Sequence, residues 1–460
     1  MIQGIRYKAN PTSEQKLILS QWMGCARMIW NAKCDEHRYY STFARKYCPI
    51  GTFAPVDQKA SQFKSRELTP WLYDCPSQII RNSAVNWYQT YQKFMKGICG
   101  NPRHRPKSDR GSIHLTRELF RFDEDGRLFV GSKTNNIGFL SFKKHRDHGT
   151  PNSIYIRKEA GQYFVSFCFD DGDEAPPIMD KEHLDYLSGA DRAWLEDNVI
   201  GVDRGVVIPA HGGNKALEFD FSDDEKKSQT KHERNLKRYQ RRMAKQDKKS
   251  NRRNCTKIRI NRCYKKLANI RQDFCHKTSR SLVDSSAKVI VFEALKTSQM
   301  TRKPKAKQDK DGKFLPNRAR AKAGLNKSIL NIGWHYIETF TKYKADKAGK
   351  AVFKVSAAYT SQECANCGHT HPSNRKSQEL FHCQSCGNID NADRNASLVI
   401  KKRAINLILD SGTELSGKGI SLLGIGRGAN RKSRKGKSLR AAGDEASKKK
   451  GTAANITAAV

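Results

Sequence analysis

The sequence predicts a multidomain α/β protein, and three patterns support this fold class. Two runs rich in β-branched residues, VIGV before Asp203 and VIVF before Glu293, are typical of buried strands. Alternating apolar and polar residues, as in YFVSFCF, are typical of strands with one buried face. Apolar residues spaced by three and four predict amphipathic helices. A chain of 460 residues should divide into about three folding units plus tails.

The first half of the chain is predicted to contain a strand, a helical bundle and a second set of strands. The pattern of residues 2–9 predicts a strand, and apolar residues at helical spacing, from Leu17 to Phe94, predict a bundle over 13–98. We interpret most aromatic residues of this bundle as core, with a few that could stack on a nucleic acid. After an arginine- and proline-bearing loop, alternating stretches predict strands at 127–130, 138–142, 153–157 and 162–169.

The second half of the chain is predicted to contain basic helices and long irregular segments. Residues 170–177 have the composition of a linker. Apolar spacing predicts two helices in a hairpin over 225–285, with the apolar seam on a sheet and the basic faces outward. The segment 297–325 has no periodicity, and we interpret it as a mobile lid loop. Residues 411–460 are basic and almost free of aromatic residues, which predicts a disordered tail.

Acidic residues follow both buried runs, and a third acidic segment lies near the C-terminus. Asp203 and Glu293 each end an apolar run, and the segment IDNADRNAS supplies two further candidates, Asp390 and Asp393. Taken singly, such an acid is more often only the cap of a strand end. Taken together, three carboxylates can hold two divalent cations, roughly 3.5–4 Å apart, that clamp the attacking and leaving oxygens of a phosphodiester. Oxygen ligands of this kind favour Mg²⁺ or Mn²⁺.

Four cysteines have the spacing of a structural zinc site. They form two Cys-x₂-Cys pairs separated by fifteen residues, and a glycine that lets the chain turn follows each pair. The predicted ligands are Cys364, Cys367, Cys383 and Cys386. Four thiolates leave no position for water, so one Zn²⁺ would be structural. The alternative, two disulfides, is disfavoured because no secretory signal is evident and the other cysteines are scattered.

The charge of the chain points to a nucleic-acid partner. The formal net charge is +40, and such an excess repels itself unless a polyanion neutralises it. Membrane binding is disfavoured because no apolar run approaches the roughly 18 residues that span a bilayer. The candidate phosphate contacts lie in the hairpin and in the loop before the second set of strands: Arg238, Arg241, Arg242, Arg103, Arg105 and Lys107.

The C-terminal motifs resemble those of the TnpB (OrfB-type) transposon-associated proteins, which are also the ancestors of type V CRISPR effectors. The strings YTSQECANCG at 359–368 and FHCQSCGNIDNADRNASLVI at 381–400 carry this resemblance. GVDRG and FEAL stand at the positions of the family's first two RuvC motifs. The N-terminal MIQGIRYKANPTSEQKLIL resembles the family's opening strand and first helix. The resemblance covers roughly residues 1–405.

The resemblance implies an RNase H-like RuvC nuclease domain with an inserted Cys₄ zinc ribbon, and a small β-barrel, the wedge, that carries a helical recognition bundle. The nuclease strand at Asp203 should then continue antiparallel through 206–210 and 215–220. The implied division of the chain is 1–12 (first barrel strand), 13–110 (recognition domain), 111–178 (barrel), 179–359 (RuvC domain), 360–390 (zinc ribbon), 391–410 (third RuvC motif and C-terminal helix) and 411–460 (tail).

The resemblance also selects the third acid. The family's third motif aligns with Asp393 rather than Asp390. Two residues of the following helix, Ser397 and Val399, depart from the family pattern, and they put the packing of this helix in doubt more than the chemistry. Asn395 is interpreted either as a residue that supports the site or as part of the helix cap.

The function implied by the resemblance is that of an RNA-guided DNA endonuclease. It would bind a transposon-derived guide RNA, recognise a short target-adjacent motif and cut both strands of double-stranded DNA with one RuvC site. We expect one protein copy per RNA, in the cytoplasm of a bacterium or archaeon and associated with the nucleoid. The alternatives are a miniature type V CRISPR effector and a guide-dependent DNA-binding regulator without cleavage. A zinc-ribbon RNA-binding protein would leave the acids unexplained, and no feature identifies the strand joining of a transposase.

Overall fold

The computed structural model describes residues 2–44, 57–107, 110–170, 172, 187, 189–410 and 421–422, which fold into two compact units. The first unit consists of Met1–Glu174 and His232–Lys266, and the second consists of Ala175–Lys231 and Leu267–Val460. Within the described residues, no helix is long and apolar enough to cross a membrane.

The first unit is an antiparallel β-structure with two packed helices. Its strands are β1 (Ile2–Ala9), β2 (Gly111–Thr116), β3 (Phe120–Phe122), β4 (Leu128–Gly131), β5 (Asn136–Leu140), β6 (Phe142–Lys143), β7 (Ser153–Glu159) and β8 (Gln162–Asp170), and its own helices are α1 (Ser13–Tyr39) and α2 (Ser77–Met95). The strands form a five-stranded sheet in the order β2-β7-β8-β1-β6 and a three-stranded sheet in the order β3-β4-β5. The strand predicted at 2–9 is present with the predicted ends, and those at 127–130, 153–157 and 162–169 are present with shifted ends. The strand predicted at 138–142 was wrong as a single element, because β5 and β6 divide it between the two sheets.

The N-terminal strand lies inside the larger sheet. β1 pairs with β8 along its whole length, from Ile2↔Asp170 to Ala9↔Tyr163. Every second residue of β8 is buried, as the alternation in the sequence predicts. Because β1 precedes both helices and β8 follows them, α1 and α2 are inserted between strands of one sheet.

The two helices pack on each other and on β2. α1 begins with a capping box, in which the Thr12 hydroxyl accepts from the Gln15 N–H and the Gln15 side chain accepts from the Thr12 N–H. Leu19 and Met23 are buried on the inner face of α1. Leu17, which the apolar pattern placed in the same core, is 63% exposed, so that prediction was wrong. Its neighbours at helical spacing supply enough apolar surface to hold the helix without it.

The second unit is built on a mostly parallel sheet. Its strands are β9 (Val199–Val202), β10 (Ala210–His211), β11 (Glu218–Phe219), β12 (Val289–Glu293), β13 (Lys307–Gln308), β14 (Phe314–Leu315), β15 (Ala351–Val355), β16 (Leu380–His382), β17 (Ile389–Asn391) and β18 (Ser421–Leu422). Its helices are α3 (Arg192–Asn198), α4 (Asp223–Ala244) and α5 (Asn251–Asp284), both shared with the first unit, α6 (Thr297–Met300), α7 (Ala319–Ile332), α8 (Trp334–Lys347) and α9 (Ala392–Asp410). The main sheet has the order β18-β15-β12-β9.

Helices cover both faces of this sheet, which explains its continuous apolar strands. β12 pairs in parallel with β9 and with β15, and β18 adds an antiparallel edge. Val289 and Val291 of β12 join a core with α3 and α9. The intervening Ile290 and Phe292 join a second core with α5 and α8. Every residue of β12 is therefore buried.

The predicted basic hairpin is present, but only part of it packs on this sheet. No described residue of α4 is buried. Ile260 and Cys263 of α5 lie in the first unit, whereas Phe274 and Cys275 join the core of the main sheet. The prediction that the whole seam packs on the sheet was therefore wrong for α4 and for the first half of α5. Helical spacing reveals that a face is apolar but not which partner covers it.

Three other segments differ from their prediction. The segment 297–325 contains α6, a short hairpin of β13 and β14, and the start of α7, so it is not irregular throughout. The strand at Asp203 does not continue through 206–209; instead Asp203 bridges to His211, and β10 pairs with β11. Elements of two residues carry too little periodicity to be recognised in a sequence. Of the predicted tail, only β18 is described, and 411–420 and 423–460 lie outside the described residues.

Candidate active site

Two of the predicted acids lie side by side at the ends of neighbouring parallel strands. β9 and β12 pair in parallel up to Val202↔Phe292, so Asp203 and Glu293 are the next residues in the same register. Residues in register on adjacent strands, roughly 4.8 Å apart, project from the same face of a sheet. Parallel pairing therefore brings these two carboxylates together.

The third acid is brought to the same place by a close helix–strand contact. Helix α9 crosses β9 at Gly201, where an added Cβ would lie 2.2 Å from the carbonyl oxygen of Ser397 and 2.6 Å from the amide nitrogen of Lys401. Only glycine, which has no Cβ, fits this close approach. It places the first turn of α9, which contains Asp393, beside the end of β9.

Ser397, a departure from the family pattern, connects the backbones of two acids. Its hydroxyl lies 2.7 Å from the carbonyl oxygen of His211 and 2.8 Å from that of Asp393. The backbone of His211 in turn pairs with that of Asp203 through hydrogen bonds of 2.9 and 3.0 Å. A serine at this position therefore packs in α9 and adds a polar link between Asp203 and Asp393.

Burial is the main electrostatic influence on the three acids. Burial, together with the charges of Glu293 and Asp393, raises the pKa of Asp203 to about 7. Burial also raises the pKa of Glu293 and of Asp393. Arg375 opposes these shifts at all three acids, and its guanidinium lies 3.7 Å from the Asp393 carboxylate. Carboxylates that repel each other in this way are typical of a cation site.

A buried ionic network holds the strand ends behind the acids. Arg204, 4% exposed, forms an ion pair with Glu338 of α8 and donates a hydrogen bond to the backbone carbonyl of Glu293. Lys354 of β15 reaches the second oxygen of Glu338 at 2.5 Å. The Thr360 hydroxyl donates to the Glu293 carboxylate. Because Arg204 follows Asp203 directly, this network fixes the backbones of both strand-end acids.

The alternative third acid, Asp390, has a different environment. Its carboxylate forms an ion pair of 3.1 Å with Arg394 on the adjacent turn. The charges that raise the pKa of Asp203 come from Glu293 and Asp393. These two observations favour Asp393 over Asp390 as the third acid.

The four predicted zinc ligands form a single cluster. Their sulfur atoms all lie within 4.8 Å of one another, and the Cys364–Cys386 and Cys367–Cys383 pairs are separated by 3.7 and 3.6 Å. Tetrahedral zinc with Zn–S bonds of about 2.3 Å requires sulfur atoms about 3.8 Å apart. Every described cysteine is a free thiol, so no disulfide competes within this part of the chain. The cluster therefore fits one structural Zn²⁺.

Both halves of the cluster have the same turn. The carbonyl of the first cysteine accepts from the N–H of the glycine, Gly368 at 2.9 Å and Gly387 at 3.1 Å. These glycines have φ of +78° and +70°, where other residues are strained. The backbone N–H of Asn388 is the largest cause that lowers the pKa of Cys386, to about 6, whereas burial raises the pKa of Cys364 to about 11.

The zinc ribbon is fastened to the helix of the third acid. The side chain of Asn395, fully buried, accepts from the Ala365 N–H at 3.0 Å and donates to the Glu363 carbonyl at 2.8 Å. Arg403 of the same helix forms an ion pair with the Glu363 carboxylate. Asn395 therefore supports the position of α9 through the first cysteine turn. Arg375, which reaches Asp393, lies between the two cysteine pairs.

The predicted nucleic-acid contacts lie in the first unit and not at the acids. Arg238, Arg241 and Arg242 are exposed on α4. Arg103, Arg105 and Lys107 are exposed on the loop before β2. This loop is docked on α1, since the Arg105 guanidinium stacks 3.3 Å from the Trp30 ring and the backbone N–H of Arg105 donates to the Asn31 side chain at 2.8 Å.

Several residues of the site were missed by the sequence. Three cations and one acid lie in segments with many other charged residues, so composition does not single them out. They are Arg204, Lys354, Arg375 and Glu338. Gly201 had a signal, a glycine inside a β-branched run, which often marks a close backbone approach.

Three protein-family models match separate parts of the chain. A family described as "Probable transposase" (OrfB_IS605) matches residues 196–303, the "Cas12f1-like, TNB domain" matches 334–400, and a "Helix-turn-helix domain" of OrfB_IS605 matches 1–38. The first two matches contain Asp203, Glu293, Asp393 and the four cysteines. The third does not correspond to two helices, because residues 2–39 form β1 and the single helix α1.

Individual relatives extend the similarity over most of the chain. The chain is 27% identical over 397 residues to "Putative RNA-guided DNA endonuclease InsQ" of Escherichia coli (strain K12), covering 86% of this chain and 90% of the relative. It is 35% identical over 134 residues to the "CRISPR-associated endodeoxyribonuclease Cas12f1" of Sulfoacidibacillus thermotolerans, 29% of this chain and 27% of that relative. Among solved structures, that of CasPhi-2 (Cas12j) bound to crRNA aligns with 89% of this chain and 98% of its own chain. The identity is 11% and the TM-score is 0.44.

The fold and the site define a class of α/β protein in which a cluster of three acids ends a parallel sheet beside a Cys₄ zinc ribbon. The matches to both regions and the similarity along most of the chain are to TnpB-type (OrfB-type) transposon-associated proteins, and the chain resembles this family.

Proposed function

We propose that this protein is an RNA-guided DNA endonuclease with a single RuvC-type site formed by Asp203, Glu293 and Asp393. The observation that carries the proposal is the convergence of these acids at the ends of β9, β12 and α9, with a raised pKa at each. The name of the InsQ relative, which aligns with 86% of the chain, supports guidance by RNA.

The chemistry of the three acids suits divalent cations such as Mg²⁺ or Mn²⁺. Their donors are all carboxylate oxygens, which these ions prefer. Burial, and then the negative charges of Glu293 and Asp393, raise the pKa of Asp203, and a bound cation would oppose this shift. Asp203, Glu293 and Asp393 would hold two ions, which supply a more acidic bound water and stabilise charge at the phosphate. Thr360 and Arg204 orient Glu293, and Arg375 places a positive charge beside Asp393.

Cleavage should depend on pH through Asp203. Because its pKa is raised to about 7 in the folded protein, the proton must leave before the carboxylate can bind a cation. The Mg²⁺ concentration for half-maximal cleavage should therefore rise as pH falls below about 7, by at most about tenfold per pH unit.

The same shift has a consequence for stability without magnesium. The folded state binds this proton more tightly than the unfolded state, so the free energy of unfolding should fall as pH rises from about 4 to about 7. Urea unfolding in magnesium-free buffer measures this slope, and Asp203→Asn is the control that should reduce it. An unchanged slope in the variant would show that Asp203 does not titrate in this range.

The remaining regions are assigned within the same proposal. The five- and three-stranded sheets of the first unit correspond to the wedge barrel, and α1 and α2 correspond to the inserted recognition domain. The parallel sheet of the second unit corresponds to the RuvC domain, and the segment 297–325 to its lid. The exposed cations of α4 would contact the phosphates of a guide–target duplex.

Neutralising the cations of α4 should weaken binding without regard to sequence. In Arg238→Ala, Arg241→Ala or Arg242→Ala, the slope of log K against log salt should shrink by roughly 0.7–0.9 for each lost phosphate contact. Filter binding over a salt series measures the slope. A protein truncated after Leu422 is the control. It loses the cations that follow the described residues, and it should still cut guided targets. Unchanged slopes in all three variants would show that the phosphate contacts lie elsewhere.

The proposed function is tested by expressing the protein with its flanking genomic DNA and sequencing the RNA that co-purifies. An RNA from a transposon end, which directs cleavage of a matching plasmid in Mg²⁺, is the expected result. The match to the Cas12f1-like TNB domain favours a miniature type V CRISPR effector as the second candidate. In that case the RNA would derive from a repeat array. A guided complex that binds but never cuts would indicate a DNA-binding regulator.

A further inference from the structure

A cavity in the first unit lies far along the chain from the three acids. It has a volume of about 690 Å³, within the range of pockets that bind small ligands. Four aromatic rings, one of them Phe120, and three cations line it; the other three rings and the cations are Phe122, Phe142, His148, Arg117, Arg121 and Lys144. All of these residues belong to β3, β6 and the loops that flank them.

The three rings are fixed by a common buried neighbour. Phe167, which is fully buried, meets Phe122 at 5.6 Å and 88°, Phe142 at 5.3 Å and 81°, and His148 at 4.5 Å and 74°. Such edge-to-face contacts hold aromatic rings in defined orientations. Each of the three rings is only half-buried and lines the cavity. The cavity therefore has a preorganised aromatic wall that can accept another flat ring.

The rim of the cavity has unbalanced positive charge. Arg117 donates to the neutral Asn152 side chain at 2.6 Å, and Arg121 lies 4.1 Å from the Phe129 ring. Neither guanidinium forms an ion pair with any carboxylate among the residues that the structure describes. The cavity's one acid, Asp125, is already paired with Arg127 at 3.1 Å. An anion would therefore be attracted to the two arginines.

A third cation and a histidine ring add polar groups to the lining. Lys144 is 2.7 Å from Asp147, which is 96% exposed, so this pair is easily exchanged for another anion. The Nδ1 atom of His148 lies 2.9 Å from the Gly149 carbonyl and donates to it. In a neutral ring this leaves Nε2 as an acceptor, which suits an amino or hydroxyl group.

We propose that this cavity binds a single unpaired nucleotide of a nucleic acid, with its base against the aromatic wall and its phosphate at Arg117 and Arg121. A flat ring joined to an anion is the chemistry that the wall and the rim together recognise. The nucleotide can come from the guide RNA or from an opened strand of target DNA. The inference rests on the nucleic-acid-binding part of the proposed function and is independent of cleavage.

Ultraviolet crosslinking of the full-length protein with its co-purifying RNA and a matching target DNA tests the site. Mass spectrometry should find a one-nucleotide adduct on a peptide from residues 117–151. A ribonucleotide adduct identifies the RNA as the source, and a deoxyribonucleotide adduct, lighter by one oxygen, identifies the DNA. Absence of any adduct on these peptides, alongside adducts elsewhere, would overturn the proposal.

Binding measurements with variants provide the second arm. Phe122→Leu and Phe142→Leu keep apolar volume but remove a ring, and each should weaken binding of the identified strand by about 5- to 100-fold. Arg121→Ala should reduce the salt slope by roughly 0.7–0.9. Arg146→Ala is the matched control, because this exposed cation of the same loop does not line the cavity and should leave affinity unchanged.

The outcomes separate this inference from the proposed function. Unchanged affinity in folded Phe122→Leu and Arg121→Ala proteins, with normal guided cleavage, would overturn the proposed nucleotide site and leave the proposed function intact. Adducts at the cavity and weakened variants, without DNA cleavage, would support the cavity and contradict the nuclease. A protein that binds no nucleic acid would contradict both.

Discussion

Removing any one of the three acids should abolish Mg²⁺-dependent cleavage while guide and target binding stay nearly intact. Asp203→Ala, Glu293→Gln and Asp393→Ala should each lower the cleavage rate by at least about 10³-fold, because metal stabilisation of the transition state is worth several kcal/mol and each 1.36 kcal/mol is a factor of ten. Glu293→Gln is nearly isosteric and retains an oxygen that can accept from Thr360. Plasmid cleavage and gel-shift assays on the same preparations separate chemistry from binding.

Asp390→Ala is the matched control for this prediction. Asp390 lies three residues before Asp393, but its carboxylate pairs with Arg394. We expect this variant to cut at close to the normal rate. Cleavage retained in Asp393→Ala and lost in Asp390→Ala would show that the site uses the other acid. Cleavage retained in the Asp203, Glu293 and Asp393 variants would show that these acids do not form the active site.

Loss of the zinc should have the second largest effect. Structural zinc contributes apparent binding free energies of about 10–16 kcal/mol in small peptides, so Cys383→Ser should unfold much of the 360–390 segment. Cleavage should fall with it, because Asn395 and Arg403 fasten α9 to this segment and Arg375 extends from it to Asp393. Metal analysis of the wild-type protein should find one zinc per chain.

Two further variants separate zinc binding from its effect on the acids. Cys255→Ser, at an exposed cysteine outside the cluster, should keep both zinc and activity. Asn395→Ala keeps all four thiolates but removes the two hydrogen bonds to residues 363 and 365, so it should keep zinc and lose part of the cleavage rate. Full activity in a protein that lacks all four cysteines would contradict the structural role.

The sequence alone located the two strand-end acids and the zinc ligands. An apolar run that ends in an acid, and two Cys-x₂-Cys pairs, are local patterns, and their chemistry depends on residue type and spacing. The same is true of α5, whose apolar residues recur along its length. Choosing Asp393 over Asp390 required a family resemblance, because both acids stand beside the same helix start.

Only the tertiary structure decided how these segments meet. Gly201 lets α9 approach β9, and the ion pair of Arg204 with Glu338 joins segments 134 positions apart in the sequence. The partner of each half of α5 and the exposure of Leu17 were also decided there. Periodicity states which face of a helix or strand is apolar. It does not state which distant backbone comes close enough to cover that face, because such contacts depend on the register and approach of segments that the chain itself does not place side by side.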